Sequence, residues 1–190
     1  MQLINRNKIR HIHHGCIEYM VGLDTTLCVQ INRSSKNNAI KSIFRIISRL
    51  GDGVFWYSLM ALMLISFGDS AINPVLHMLS AGLLGTLIYK WLKSTTLRPR
   101  PYEVHQDVWL TGRPLDKFSF PSGHTLHAVV FTTVLGFYYP LLMCAIIPFT
   151  ILVGLSRVIL GLHYPSDVLV GAGIGYSLAY LSQYLIYIAH

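Results

Sequence analysis

Two histidines and one aspartate stand where apolar segments of this chain begin. His163 precedes Asp167 by four residues in the stretch HYPSD, and Pro165 falls at about the first position of the apolar helix that follows. At this spacing the carboxylate can reach back to one imidazole nitrogen and support the charge that develops when the other nitrogen acts as a nucleophile. His124, at the start of a different apolar segment, is a candidate to protonate the departing oxygen and later to activate water.

Fixed cations accompany these groups at the borders of the apolar segments. They are Lys93, Arg100 and Arg157. The planar guanidinium group of arginine suits bidentate binding of phosphate. Ser122 and Gly123 directly precede His124 and offer a hydroxyl and backbone N–H groups at a predicted helix N-terminus, where anions bind readily. Together these residue types predict a site for an anion of high charge density.

The composition is that of an integral membrane protein. Of 190 residues, 53% are hydrophobic and 12% are charged, whereas a soluble domain carries about 25% charged residues. Because crossing the hydrocarbon takes about 20 apolar residues, we predict five transmembrane helices in an all-α bundle. They cover 53–68, 71–92, two antiparallel spans within 125–155 that divide at 138–140, and 168–189. Within the last span, Gly171 and Gly175 indicate close helix packing rather than a nucleotide-binding loop.

Five antiparallel spans determine which helix ends share one side of the membrane. The second and fourth spans end, and the third and fifth begin, on the same side, so the four polar clusters described above converge there. The opposite connections, near Asp69 and Pro140, contain no lysine, arginine or histidine. The chemistry is therefore predicted at one end of the bundle.

Residues 1–52 are predicted to form a basic N-terminal region, and 53–190 the transmembrane catalytic domain. Glu18 and Asp24 make a sixth span at 17–31 energetically costly, and the sequence leaves it open. In the following stretch apolar residues recur at helical spacing, opposite basic ones. The apolar residues are Ile40, Ile43, Phe44, Ile47 and Leu50, and the basic ones Lys41, Arg45 and Arg49. This pattern predicts an amphipathic helix that lies in the membrane interface or packs on the bundle.

The polar clusters also form a three-part motif, and with it the chain resembles the type 2 phosphatidic acid phosphatase (PAP2) superfamily. The motif reads KxxxxxxRP, PSGH and SRxxxxxHxxxD. Here it runs from Lys93 to Arg100-Pro101, from Pro121 to His124, and from Ser156-Arg157 through His163 to Asp167, with every spacing kept. Members of the family often have six spans, whereas this sequence indicates five and an amphipathic N-terminal region.

The resemblance implies hydrolysis of a lipid phosphate through a phosphohistidine, without a metal or another cofactor. His163 would be the nucleophile, Asp167 its orienting partner, and His124 the general acid and base. The implied phosphate-binding residues are Lys93, Arg100, Ser122, Gly123 and Arg157. The implied substrate is a lipid phosphomonoester or a polyprenyl diphosphate, and phosphatidic acid, phosphatidylglycerol phosphate, undecaprenyl diphosphate and a lipid A phosphate all fit.

Other functions are compatible with the same residues. A phosphotransferase would pass the group to another lipid, and a scaffold would retain the bundle without chemistry. The vanadium-dependent haloperoxidases are similar in their anion-binding motifs, but their chemistry suits a soluble protein. The net charge of +7 does not indicate nucleic-acid binding, because the basic residues gather at membrane edges.

Several nearby residues lie outside the motif. The histidine-rich stretch 11–16 has no second set of ligands, so we expect no metal site there. His127 is one turn beyond His124, and Arg98 lies close enough to the cations to steer phosphate without binding it. The loop 102–118 is predicted to form part of the substrate entrance, with Trp109 at the level of the lipid headgroups.

The charge distribution bears on which side of the membrane the site faces. Eight lysines and arginines precede Gly53, and the positive-inside rule then favours a cytoplasmic N-terminus and active site in a bacterial inner membrane. The motif cations are needed on the active face whichever way it points, and many bacterial relatives face the periplasm.

Overall fold

The computed structural model describes residues 20–189, and across that range the backbone forms helices and turns without a strand. Helix α1 covers 20–32. It is followed by α2 (Asn38–Arg49), α3 (Phe55–Phe67), α4 (Ile72–Thr96), the short α5 (Pro101–Val104), α6 (Gly123–Tyr138), α7 (Pro140–Ile159) and α8 (Pro165–Ala189). The histidine-rich stretch 11–16 and Glu18 lie outside the described residues.

Each of the five predicted spans corresponds to one helix, and the predicted all-α membrane bundle is confirmed. Three helical stretches of the described part are long and apolar enough to cross a membrane: Asn38–Val104, which contains α2 to α5, Pro140–Ile159 and Pro165–Ala189. Large apolar side chains such as Ile65, Leu141 and Leu169 point outward, as expected for a surface that faces lipid.

The helices extend further than the charge-free segments that predicted them. Helix α4 continues to Thr96, so Lys93 lies in its last turn. Helix α7 continues to Ile159 and carries Arg157 in its last turn. Leu97 ends α4 in the left-handed conformation, at φ 49°. These extensions place Lys93 and Arg157 on helix ends rather than in loops, whereas Arg100 lies in the segment between α4 and α5.

Helix α6 lies at the centre of the bundle and packs against α4, α7 and α8. With 16 residues it is shorter than a full crossing, and its Leu126, Val130 and Val134 are completely buried. The neighbouring helices cover it, so its length is compatible with a position inside the bundle. Helix α3, with 13 residues, packs beside it through Trp56.

Two glycines of α8 allow this helix to approach α6 closely, as the sequence predicted. A Cβ atom at Gly171 would lie 2.6 Å from the carbonyl oxygen of Ser122, and one at Gly175 would lie 2.5 Å from that of Leu126. Both distances are too short for any larger residue. The contact at Gly171 also fixes the position of Ser122, at the start of α6.

Substitution of Gly171 by alanine is expected to force α8 away from α6. Overpacking of this kind costs about 1–3 kcal/mol of stability. Thermal unfolding of the purified protein in detergent measures the change. The matched control is Gly173→Ala, because a Cβ atom at Gly173 meets no atom within 4 Å. Equal melting temperatures for the two variants would contradict the proposed role of this contact.

The amphipathic helix predicted in the N-terminal region forms as α2. The side chain of Asn37 caps it by accepting hydrogen bonds from the backbone of Ala39 (2.9 Å) and Ile40 (3.3 Å). Helix α2 packs against α7, while Ile43 and Ile46 stay exposed. The helix therefore packs on the bundle and also presents an apolar edge to its surroundings. The division of the chain at residue 52 stays a prediction.

Helix α1 packs against the end of the bundle that carries the motif residues. Its Cys28 is fully buried with Val108, Val158 and Tyr164. Asn32 donates hydrogen bonds to the carbonyl oxygens of Trp109 (3.0 Å) and Ile159 (2.9 Å). These contacts attach α1 to the loops of the motif-bearing end.

Candidate active site

The ends of α4, α6 and α7 and the loop before α8 enclose a cavity of about 460 Å³. Most of the site residues predicted from the sequence line this cavity: Lys93, Arg100, Gly123, His124, Arg157 and His163. Ser122 and Asp167 are fully buried behind its wall. The convergence predicted from antiparallel threading is thus present in the structure.

His163 and Asp167 lie beside each other at the base of the cavity. The imidazole Nδ1 is 3.6 Å from the carboxylate Oδ2, somewhat longer than a hydrogen bond. The carboxylate also accepts hydrogen bonds from the backbone N–H of Tyr164, at 2.9 Å, and from the hydroxyl of Ser119. These donors hold it in place behind the imidazole.

The environment of His163 keeps its imidazole neutral. Burial lowers the pKa of His163, and the guanidinium groups of Arg157 and Arg100 lower it further, while Asp167 acts in the opposite direction. An imidazole has a lone pair for attack only in its neutral form. The group is therefore in the state that a nucleophile needs.

His124 lies at the second position of α6 and lines the same cavity. Its Nε2 contacts a carboxylate oxygen of Asp52, in the turn that joins α2 to α3. The cavity therefore contains two histidines, and each has a carboxylate beside it. The two histidine–carboxylate pairs come from separate elements of the fold.

Arg157 enters the cavity from the last turn of α7 and is 1% exposed. Its Nη1 donates a hydrogen bond to the hydroxyl of Ser48 in α2. Its Nε is buried and has no hydrogen-bond partner among residues 20–189. A buried N–H of this kind is normally satisfied by a partner or a ligand, so Arg157 can still donate to an anion.

Ser122 is the N-cap residue of α6, and its hydroxyl oxygen is 2.9 Å from the hydroxyl oxygen of Thr125. Its backbone N–H donates to the carbonyl oxygen of Asp167 at 3.0 Å. The side chain thus caps the helix and does not line the cavity, whereas Gly123 does line it. Direct phosphate binding by the Ser122 hydroxyl stays a prediction.

The part of the sequence that forms this site matches a known protein family. A profile of the PAP2 superfamily matches residues 74–189, which contain all the motif residues. The chain is a member of the PAP2 superfamily. The family predicted from the three-part motif is confirmed.

Relatives and a solved structure agree with this membership. Over 165 residues the chain is 25% identical to lipid A 1-phosphatase of Rhizobium etli. This alignment covers 76% of this chain and 71% of the relative. Over 139 residues the chain is 31% identical to undecaprenyl-diphosphatase BcrC of Bacillus subtilis. That alignment covers 72% of this chain and 69% of the relative. The crystal structure of Aquifex aeolicus LpxE matches with a TM-score of 0.73 and 30% identity, over 83% of this chain and 93% of that one. The predicted enzyme class, a hydrolase of the PAP2 lipid phosphatase type, is confirmed.

Asp116 lies outside the PAP2 motifs, yet its carboxylate forms ion pairs with two of the motif cations. Lys93 donates to both of its carboxylate oxygens, each at 2.7 Å, and Arg100 donates to one of them at 2.8 Å. Although burial opposes ionisation, Lys93 and Arg100 lower the pKa of Asp116. An ionised Asp116 therefore compensates two buried cations of this PAP2 site. The sequence did not distinguish it from the other acidic residues of the loop.

Arg98, another residue outside the PAP2 motifs, takes a different position from the one expected. It donates to the carboxylate of Asp167 at 2.6 Å and to that of Asp24 in α1 at 2.7 Å, and its guanidinium lies 4.0 Å from the ring centre of Tyr164. It does not line the cavity. Arg98 therefore holds the carboxylate behind His163 and ties it to α1, and its role in steering phosphate stays a prediction.

The sequence also singled out His127 and the loop 102–118 with Trp109. The structure places some of these residues at the cavity and others away from it. His127 lines the cavity one turn below His124, with its Nε2 2.9 Å from the hydroxyl of Thr86. The loop before α6 contributes Leu115, Asp116 and Phe118 to the cavity wall. Trp109 is not among the lining residues and borders a separate small cavity, with the ammonium of Lys36 4.5 Å from its ring centre. The entrance role predicted for the loop fits its last residues better than Trp109.

Proposed function

We propose that this PAP2 protein hydrolyses lipid phosphates through a phosphohistidine formed on His163, without a metal ion. The observation that carries the proposal is a single cavity lined by His163, His124 and three buried or nearly buried cations. Those cations supply positive charge around a phosphoryl group, which is the contribution that a metal ion makes in other phosphatases.

In the first step, the neutral imidazole of His163 attacks phosphorus from the cavity wall. The bond from phosphorus to the lipid oxygen breaks, and protonated His124 gives its proton to that oxygen. Asp167 stabilises the positive charge that forms on the imidazole of His163. The geometry supports this assignment because the carboxylate of Asp167 is fully buried and held by Tyr164 and Ser119.

In the second step, water cleaves the bond between phosphorus and the nitrogen of His163. Neutral His124 takes a proton from the attacking water and so returns to its starting protonation state. Inorganic phosphate leaves, and His163 is neutral again. One histidine therefore carries the phosphoryl group while the other transfers the protons.

The cations and the N-terminus of α6 are proposed to bind the phosphoryl oxygens. Arg157 offers its unpartnered Nε, and Lys93 and Arg100 redirect donors that now contact Asp116. Gly123 offers backbone N–H at the helix N-terminus, where the helix dipole favours an anion. Ser122 is assigned to the same set through its place at the N-cap.

The proposed substrate is a lipid phosphomonoester or a polyprenyl diphosphate. The cavity is polar where the histidines and cations meet and apolar along Trp56, Tyr57 and Phe131, which belong to helices of the bundle. A phosphate headgroup and a hydrocarbon tail fit these two regions. The two curated relatives described above are named for lipid A 1-phosphate and undecaprenyl diphosphate, so both kinds of substrate belong in the test.

The test is phosphate release by the purified protein in detergent, with excess chelator, from a panel of lipid phosphates and polyprenyl diphosphates. We expect release that chelator leaves unchanged, and loss of at least about 100-fold in the His124→Ala variant, as for removal of a general acid and base. Activity that chelator abolishes would contradict the metal-free mechanism. Transfer of phosphate to an added acceptor lipid instead of to water would indicate a phosphotransferase.

We place the site on the cytoplasmic side of a bacterial cytoplasmic membrane. The basic residues before Gly53 support this orientation, and α2, which carries several of them, packs beside Arg157. With five spans the C-terminus then lies outside the cytoplasm. A topology reporter fused after His190 tests this, and a cytoplasmic signal would contradict the five-span orientation.

A further inference from the structure

Asp52 is an acidic residue of the cavity that none of the PAP2 motifs contains. It lies in the short π-helical turn Leu50–Val54 and contacts Nε2 of His124, 72 positions further along the chain. About a third of its side chain is exposed (32%), and it lines the same cavity as the motif residues. Its position next to His124 therefore calls for a physical explanation.

The turn that carries Asp52 depends on the glycine on each side of it. Gly53 adopts φ 128°, a conformation that side-chain-bearing residues rarely take. Gly51 is buried against α7, where a Cβ atom would lie 3.1 Å from two methyl groups of Val153. The sequence Gly-Asp-Gly thus lets the chain turn tightly against α7 and present one carboxylate to the cavity.

The charges around His124 explain what this carboxylate does. A general acid must hold a proton before the lipid oxygen leaves. His124 shares its cavity with Lys93, Arg100 and Arg157, and a further positive charge among these cations is unfavourable. Asp116 is already bonded to Lys93 and Arg100. Asp52 is the carboxylate that touches His124 itself.

We propose that Asp52 is the positioning residue of His124, with the same relation to it that Asp167 has to His163. The carboxylate of Asp52 accepts a hydrogen bond from Nε2 and stabilises the protonated imidazole, so Nδ1 faces the leaving oxygen. In the first step that proton moves to the lipid oxygen as its bond to phosphorus breaks, and in the second step water returns one proton to His124. This inference rests on the proposed function, since it assigns a partner to the proposed acid.

The test compares two synthetic phosphates with the same hydrocarbon chain, one an alkyl phosphate and the other an aryl phosphate. An alkoxide needs a proton in order to leave, whereas a phenolate needs it much less. We expect Asp52→Asn to lower kcat/KM, which reports phosphoryl transfer to His163 and not the later attack of water, about 10- to 100-fold on the alkyl phosphate and less than about 3-fold on the aryl phosphate, because general acid catalysis is lost. Asp52→Glu, which keeps the carboxylate, should restore part of the lost kcat/KM.

A double-mutant cycle locates the effect. If Asp52 acts through His124, then adding Asp52→Asn to His124→Ala should lower kcat/KM no further. The control is Asp69→Asn, in the exposed turn that follows the opposite end of α3, which should match the unchanged protein. Equal losses on alkyl and aryl phosphates, or additive losses in the cycle, would overturn the proposal. Failure of the proposed function itself looks different, because His163→Ala would then hydrolyse both substrates as fast as the unchanged protein.

If Asp52→Asn does not fold, Asp52→Glu carries the same comparison. The longer side chain moves the carboxylate relative to His124, so we expect a smaller loss that is again confined to the alkyl phosphate. A loss on both substrates would count against the proposal in this variant too.

Discussion

Replacement of His163 by alanine or asparagine is expected to reduce phosphate release by at least about 1000-fold, because a covalent mechanism has no substitute for its nucleophile. Asparagine keeps much of the shape of the imidazole, so its effect separates lost chemistry from lost packing. Steady-state phosphate release from a lipid phosphate measures the loss. Melting temperatures in detergent establish that the variants are folded.

A second measurement examines the intermediate directly. After brief reaction with a substrate carrying a radiolabelled phosphate, acid-labile label should be found on the unchanged protein and be absent from the His163 variants. The matched control is His105→Ala, since His105 lies at the same end of the bundle, where its ring packs edge-on to Tyr164, but does not line the cavity. Label that persists without His163 would place the phosphoryl group on another residue and contradict the mechanism.

Replacement of Arg157 by lysine is expected to lower kcat/KM about 10- to 100-fold, although the charge is kept. Lysine has a single ammonium group and cannot reproduce both the hydrogen bond to Ser48 and the unpartnered Nε of the planar guanidinium. Inhibition by vanadate, which resembles phosphate in shape and charge, should weaken in parallel. This second readout reports anion binding without requiring turnover.

The comparison for Arg157 is Arg113→Lys in the loop before α6. Arg113 is exposed and does not line the cavity, so the same chemical change there should leave kcat/KM and vanadate inhibition unaltered. If the Arg157 variant also behaved like the unchanged protein, the phosphate-binding role proposed for its guanidinium would be wrong. If only its melting temperature fell, the contact with α2 would be its main role.

The structure also shows how a cavity lined by buried cations is compatible with a stable fold. Lys93 and Arg100 are 6% and 1% exposed, and buried charges without partners are strongly destabilising. Asp116 partners both, and Arg100 also donates to the carbonyl oxygen of Leu162 at 2.6 Å. In the proposed mechanism, a substrate phosphate shares or replaces the contacts that Asp116 makes. The site is therefore prepared for an anion while its charges are already compensated.

A large part of the fold follows from the sequence alone, because helix formation in a membrane depends on properties that lie along the chain. Runs of apolar residues located all five spans, and Tyr138-Tyr139-Pro140 divided α6 from α7 at the right place. Antiparallel threading then put Lys93, His124 and His163 at one end of the bundle. The motif spacings identified the family without any coordinates.

The tertiary structure decided which partners these residues have. Asp52 reaches His124 across 72 positions, and Arg98 reaches Asp24 across 74. No periodicity or spacing connects such pairs, since each contact depends on how the segments that carry the two residues pack and on which rotamer each side chain adopts. The same holds for Ser122, whose hydroxyl caps α6, and for Arg98, which donates to Asp167. The sequence by itself determined which motif residues converge on one cavity, whereas packing determined that Asp52 contacts His124 and that Asp116 pairs with Lys93 and Arg100, because long-range electrostatic contacts exist only once the helices have assembled.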